Sequence, residues 1–153
     1  MVGKINTRLS KLEIELPEAS APAANYVPYT LENGTLYIAG QVPFWNGELL
    51  HVGKVGAEYS LADAVQAARV CGLNIIAQAK AALGGDLDRV RRIAKVGGFV
   101  NALPEFGQHP EVVNGASDLF VDIFGEAGKH ARFAVGAVSL PLGVPVEVDA
   151  TMI

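Results

Sequence analysis

The chain has 153 residues, half of them apolar, which is enough to bury one core and too few for two comfortable domains, so 1–153 reads as a single domain. A formal net charge of -4 argues against a general attraction to phosphate backbones, and the basic run "RVRRIAK" lacks the interleaved aromatics that stack on bases. One cysteine, Cys71, excludes an intramolecular disulfide framework and a cysteine-pair zinc site, and the absence of a long apolar run leads to the expectation of a soluble, cytoplasmic protein.

Residues 1–20 mix charged and apolar side chains without a sustained period and read as a partly helical N-terminal extension, followed by the proline-rich connector "PEASAPAANYVPY". Asn-Gly turns, Asn33-Gly34 among them, flank "TLYIAGQV", whose β-branched and aromatic residues predict hairpin strands. The clearest helix begins at Ser60, because Leu61, Ala64, Val65, Ala68, Cys71, Ile75, Ile76, Ala79 and Leu83 recur at helical spacing, and Gly84-Gly85 ends it. Its alanine-rich face, with Gly72 in the middle, predicts close packing on a sheet, and Cys71 on that face reads as a small core residue.

"RVRRIAKVGGFVN" reads as a strand with one solvated side. A second helix starts near Pro110 and keeps its period through Val113, Ala116, Leu119, Phe120, Ile123 and Phe124 until Gly125 and Gly128. Two strands close the chain, "ARFAVGAVSL" and "PVEVDATM", joined through "PLGV". The order predicts an α+β fold, a mixed sheet with two helices on one face, and alternation in the last strand turns its valines to the helices and Glu147 and Asp149 away.

Common catalytic signatures are missing. There is no phosphate-binding loop, no serine-hydrolase elbow and no nucleophile–base pair close in sequence, and His51, His109 and His130 are scattered singles better suited to surface or capping roles than to a metal. Charged residues on the last two strands are what remain. If those strands form a hairpin with Leu140 opposite Pro145, Arg132 and Glu147 share a face at roughly 20 Å, at about 3.3 Å per residue. Two copies of the chain could bring such groups together; an exposed salt-bridge lattice is the other reading of the same pattern.

"TLYIAGQVP", "GKVG", the alanine-rich helix, "RVRRIAKVGGFVN" and "ARFAVGAVSLPLGVPVEVDA" together resemble the Rid family, also called the YjgF family, over roughly residues 20–152. The resemblance implies a chorismate-mutase-like α+β fold and a homotrimer with clefts between subunits. It also implies hydrolytic deamination of reactive enamines and imines, such as 2-aminoacrylate, to 2-keto acids and ammonia, without metal or cofactor. By motif position Arg132 resembles the family's substrate-carboxylate arginine and Glu147 its water-associated glutamate. Tyr26 resembles the aromatic residue at the cleft, Gly40 a backbone group, and Asn114 and Ala134 cleft-lining positions. The partner so implied is a small 2-imino or 2-keto acid; a ribonuclease label is also attached to parts of this family, but the acidic charge and the lack of a nucleophile–base pair argue against nucleic acid, and no membrane partner is expected. A non-catalytic trimer binding a small carboxylate or a partner protein in the same cleft is the alternative. The chain departs from the family at Phe133 and Ala134, in the 1–20 extension and around "PEFGQHPEVVNGAS", all of which bear on cleft shape.

Overall fold

The expected helices form, but the last two strands do not meet. The computed structural model describes residues 3–22 and 24–153; residues 1, 2 and 23, which belong to the N-terminal segment and connector discussed above, lie outside the described residues. A short helix α1 (Lys4–Lys11) is followed by the connector and the strands β1 (Tyr29–Glu32) and β2 (Thr35–Gln41). A small hairpin comes next, β3 (Phe44–Trp45) with β4 (Glu48–Leu49). Then come α2 (Leu61–Ala82), β5 (Ile93–Asn101), α3 (His109–Phe124), β6 (Ala131–Ala137) and β7 (Val146–Met152).

Local chemistry sets the boundaries. Asn33 and Gly34 both adopt positive φ, 50° and 77°, the conformation a two-residue hairpin turn requires, and Asn46-Gly47 repeats it between β3 and β4. Ser60 caps α2, its hydroxyl accepting from the Asp63 N–H at 3.1 Å, and Gly84 at φ 64° stops it. Pro110 sits in the first turn of α3, and Gly125 ends that helix. Asp88 supplies the N-terminal cap of α1 from a distant turn, accepting from the Lys4 and Ile5 N–H groups at 2.8 Å each.

The five strands of the main sheet run in the order β1-β2-β7-β5-β6. β5 pairs with β6 in parallel and with β7 antiparallel, so β5 lies between the two strands that the sequence pattern joined as a hairpin. The reason is physical. β5 is the longest strand, with Val96 and Val100 fully buried, and a strand so apolar gains most from neighbours on both edges. α3 provides the crossover that a parallel pair needs. The segment "PLGV" is a short 3-10 turn with Leu142 and Gly143 at positive φ, and it carries the chain across the end of β5 instead of folding it back on β6.

α2 and α3 cover one face of the sheet. In β7, Val146, Val148, Ala150 and Met152 point into that core while Glu147, Asp149 and Thr151 point away, as the alternation predicts. Gly72, expected to allow α2 close to the sheet, instead admits α3: a side chain there would meet Leu119 and the Ala116 backbone at 3.0–3.3 Å. Gly115 of α3 answers it, lying directly against the Val65 carbonyl. Cys71 is fully buried, its thiol donating weakly to the Val146 carbonyl, and burial pushes it well above the usual thiol range, which suits a core residue.

Candidate functional site

Glu147, a carboxylate of the outer sheet face, borders a cavity. The cavity, of about 440 Å³, lies between the connector, the end of β2, Phe44, the Pro141-Leu142 turn and β7, and its lining brings together Tyr26, Gly40 and Glu147. Most of the wall is apolar: Pro22, Ala24, Pro28, Val42, Phe44 and Leu142. Gly40 sits where the β2–β7 pairing shifts between Ile38 and Gln41, and a side chain on it would come within 2.7 Å of Glu147 Oε1. A glycine is therefore required for the carboxylate to lie against the β2 backbone. Burial raises the Glu147 pKa, and the nearby carboxylate of Asp149 raises it further. Asp149 itself accepts from the Gly97 N–H at 2.9 Å. Tyr26 stands at the rim, half exposed.

Two amides on the buried face of α2 hold this cavity from behind. Gln78 donates to the Ser20 carbonyl at 2.8 Å, and Asn74 donates to the Phe44 carbonyl at 2.6 Å. Both side chains are buried, so their hydrogen bonds are shielded from water and fix the connector and the β3 hairpin against the helix. The helical periodicity of α2 conceals them, because each falls among apolar neighbours.

Arg132 lies elsewhere. It pairs with Val96 across β5–β6 and so points to the helical side, at the outer edge of the sheet. Nη1 donates to Asn114 Oδ1 at 2.8 Å and to Ser117 Oγ at 3.1 Å, and Nη2 to the Pro110 carbonyl at 3.3 Å. Pro110, Asn114 and Ser117 are spaced by four and three residues, which places them along one face of α3. All three acceptors are neutral. The only ion pair among the described residues is Lys129 with Glu126, so the guanidinium has no described counter-charge, and two of its five N–H groups make no described hydrogen bond. Ser117 continues the network to His130 Nε2 at 2.8 Å, and His130 Nδ1 meets the Gly128 carbonyl at 2.6 Å.

The structure thus divides the expected site. Tyr26, Gly40 and Glu147 line one cavity; Arg132 and Asn114 form a hydrogen-bonded pair at the sheet edge; Ala134, opposite Gly98 and partly buried against the core, lies on the same side as Arg132. The hairpin register predicts that Arg132 and Glu147 share a face, and they do not: with β5 inserted between their strands they project from opposite sides of the sheet. Phe133, expected to shape the surroundings of the arginine, faces the outer side, where its ring covers Gly97 and meets Phe99 edge to face. His130, expected at a surface or cap, is half-buried in the Arg132 network, and the nucleophile–base contact absent from the sequence pattern is created by the fold as Ser117–His130. The signals were present as offsets: Ser117 is three residues beyond Asn114 on a helix, and His130 two before Arg132. His51 contacts Tyr59, His109 packs on Phe106, and no group of three or more metal-ligating side chains occurs among the described residues. A larger groove of about 870 Å³ between α1 and the end of α3 mixes Lys4, Arg8 and Lys11 with Asp88 and Glu126 and contains none of the residues above.

A mixed sheet with helices packed on one face is the YjgF/chorismate-mutase-like fold. The family model described as "YjgF/chorismate_mutase-like, putative endoribonuclease" matches residues 6–148, and the chain belongs to that family. It is similar to Protein TCP17 of Trypanosoma cruzi, 46% identical over 149 residues that cover 97% of this chain and 92% of that protein. The crystal structure of Atu1372 from Agrobacterium tumefaciens has a TM-score of 0.90 at 47% identity, covering 97% of this chain and 91% of that one. RidA from an Antarctic Psychrobacter superposes with a TM-score of 0.60 at 26% identity, covering 90% and 95%.

Proposed function

We propose that the protein is a hydrolytic deaminase of small 2-imino acids, such as the imine formed from 2-aminoacrylate, and that each active cleft is built from two copies of the chain within a trimer. The observation that carries this reading is the Arg132 guanidinium: it is positioned by three neutral acceptors, lacks a described counter-charge and keeps two N–H groups for a carboxylate. Glu147 and Tyr26 sit in a cavity on the other sheet face, so one chain cannot present both groups to one small molecule. A neighbouring copy can. Exposed Tyr37, Phe99 and Val135 on the outer sheet face give such a neighbour apolar surface to cover.

In the proposed reaction 2-aminoacrylate tautomerises to the imine, its carboxylate held by Arg132. Glu147, as carboxylate, takes a proton from a water whose oxygen bonds to the imine carbon. The same carboxyl returns that proton to nitrogen, giving the carbinolamine; it then carries the new hydroxyl's proton to nitrogen as the C=O bond forms and the C–N bond breaks, so that ammonia leaves and pyruvate remains. A carboxyl with a raised pKa is suited to both halves of that transfer. The substrate is already reactive, so positioning supplies much of the rate. The net charge of -4 and the mostly apolar cavity wall favour a small molecule over the polynucleotide suggested by the family's description. The test is ammonia release from freshly generated 2-aminoacrylate. Release above the spontaneous rate is expected; release at the spontaneous rate, with pyruvate still bound, would point to a carboxylate-binding trimer without catalysis.

A further inference from the structure

We infer that His130 is a positioning residue for this site, fixing through Ser117 the orientation in which Arg132 meets a carboxylate. The inference rests on the reading of Arg132 as the carboxylate clamp. The Gly128 carbonyl can only accept, so at 2.6 Å His130 Nδ1 must carry the proton. Nε2 of the neutral ring is then an acceptor, and the Ser117 hydroxyl donates to it at 2.8 Å. With its hydrogen committed, Ser117 Oγ can only accept from Arg132, which it does at 3.1 Å. Each link therefore has one direction, from the arginine through the serine and histidine to the Gly128 carbonyl.

The ring is held in place as well as in tautomer. His130 is half-buried and edge-on to Phe120 at 5.9 Å between centroids. Burial lowers the imidazole's pKa, the Gly128 carbonyl opposes that, and the Arg132 charge adds to the fall, so the neutral acceptor form fits its surroundings. Ser117 and His130 also have the spacing of a nucleophile and base. The guanidinium donating to the same oxygen draws on the lone pairs that a nucleophile would use, and the geometry favours orientation over attack.

The test compares wild type with His130→Phe, His130→Gln, Ser117→Ala, the Phe/Ala double variant and Arg132→Ala. It measures turnover of 2-aminoacrylate, pyruvate binding by calorimetry, melting temperature and assembly mass. His130→Phe keeps a ring and removes the acceptor; it should weaken pyruvate binding and raise KM by about 5-fold with kcat little changed, as should Ser117→Ala. The double variant should be no worse than either single one, because both break the same chain. His130→Gln, whose amide oxygen can accept from Ser117, should recover most of the loss. If a folded His130→Phe protein binds pyruvate like wild type while Arg132→Ala does not, the inference fails and the clamp reading stands. Wild-type binding by Arg132→Ala removes both. A fall in kcat at unchanged KM would assign His130 to the chemical step and overturn a positioning role. If His130→Phe does not fold, Ser117→Ala with and without His130→Gln decides the same question.

Discussion

The cavity around Glu147 and the edge around Arg132 are built in opposite ways. Four separate segments wall the cavity, mostly with apolar side chains, and the result is partial exclusion of water that raises the pKa of a carboxyl. One helix face and one strand make the edge, which is polar and holds a permanent charge against neutral oxygens. Within one chain the sheet keeps the two groups apart, so neither is spent on an ion pair with the other.

This contrast can be broken most severely at the cavity. Glu147→Gln keeps the shape and removes the proton carrier, and turnover of 2-aminoacrylate should fall about 10²–10⁴-fold while pyruvate binding changes little. Unchanged turnover would mean that the cavity carboxyl takes no part. At the edge, Arg132→Ala should weaken pyruvate binding by about 10–100-fold, the worth of charge-assisted hydrogen bonds, and Arg132→Lys should recover only part because a point charge replaces the fork. Wild-type affinity in the folded Ala variant would return Arg132 to a structural role.

A smaller effect tests whether the cavity wall depends on α2. Gln78→Leu leaves the Ser20 carbonyl without its donor, costing about 1–3 kcal/mol and lowering Tm by about 3–10 °C, with KM raised and the Arg132 edge unaffected. An unchanged Tm by scanning calorimetry would show that the connector is held by other contacts. The smallest effect is a pH-dependence. A carboxyl with a raised folded pKa contributes stability below its unfolded pKa and loses that contribution as pH rises through the folded value. Glu147→Gln should therefore melt slightly higher than wild type at neutral pH, by no more than about 2 °C for a half-buried group, and the difference should close on acidification below the ordinary glutamate range. A difference that persists there would assign it to packing instead.

Periodicity is a local signal, and it served wherever structure is local. α2 with its Ser60 cap, α3 with Pro110, the Asn33-Gly34 turn and the inward valines of β7 could all be read from residue order. What escaped was the pairing of β6 and β7, since nothing within "SLPLGVP" reveals that β5, some forty residues earlier by sequence order, will lie between them. That one topological step moved Arg132 to the other face from Glu147. Site residues divide similarly. Arg132, Glu147, Tyr26, Gly40 and Asn114 could be matched by motif, and the structure sorts them into two groups. Ser117 and His130 were hidden because their contact joins a helix to a strand, and Asn74 and Gln78 because two amides inside an apolar stripe look like exceptions until their carbonyl partners are seen.

The central claim is that one functional cleft takes Arg132 from one copy and Glu147 from another, and subunit mixing tests it directly. Arg132→Ala and Glu147→Gln proteins, each of low turnover alone at substrate well below the wild-type KM, are dissociated, mixed in equal amounts and reassembled, with mixed assemblies verified by native mass spectrometry and turnover read at that substrate level. In a closed ring of head-to-tail interfaces, random association restores a cleft with both native residues at roughly one interface in four, so the account predicts recovery of about a quarter of wild-type turnover. Verified mixed assemblies that remain as inactive as either parent would contradict it.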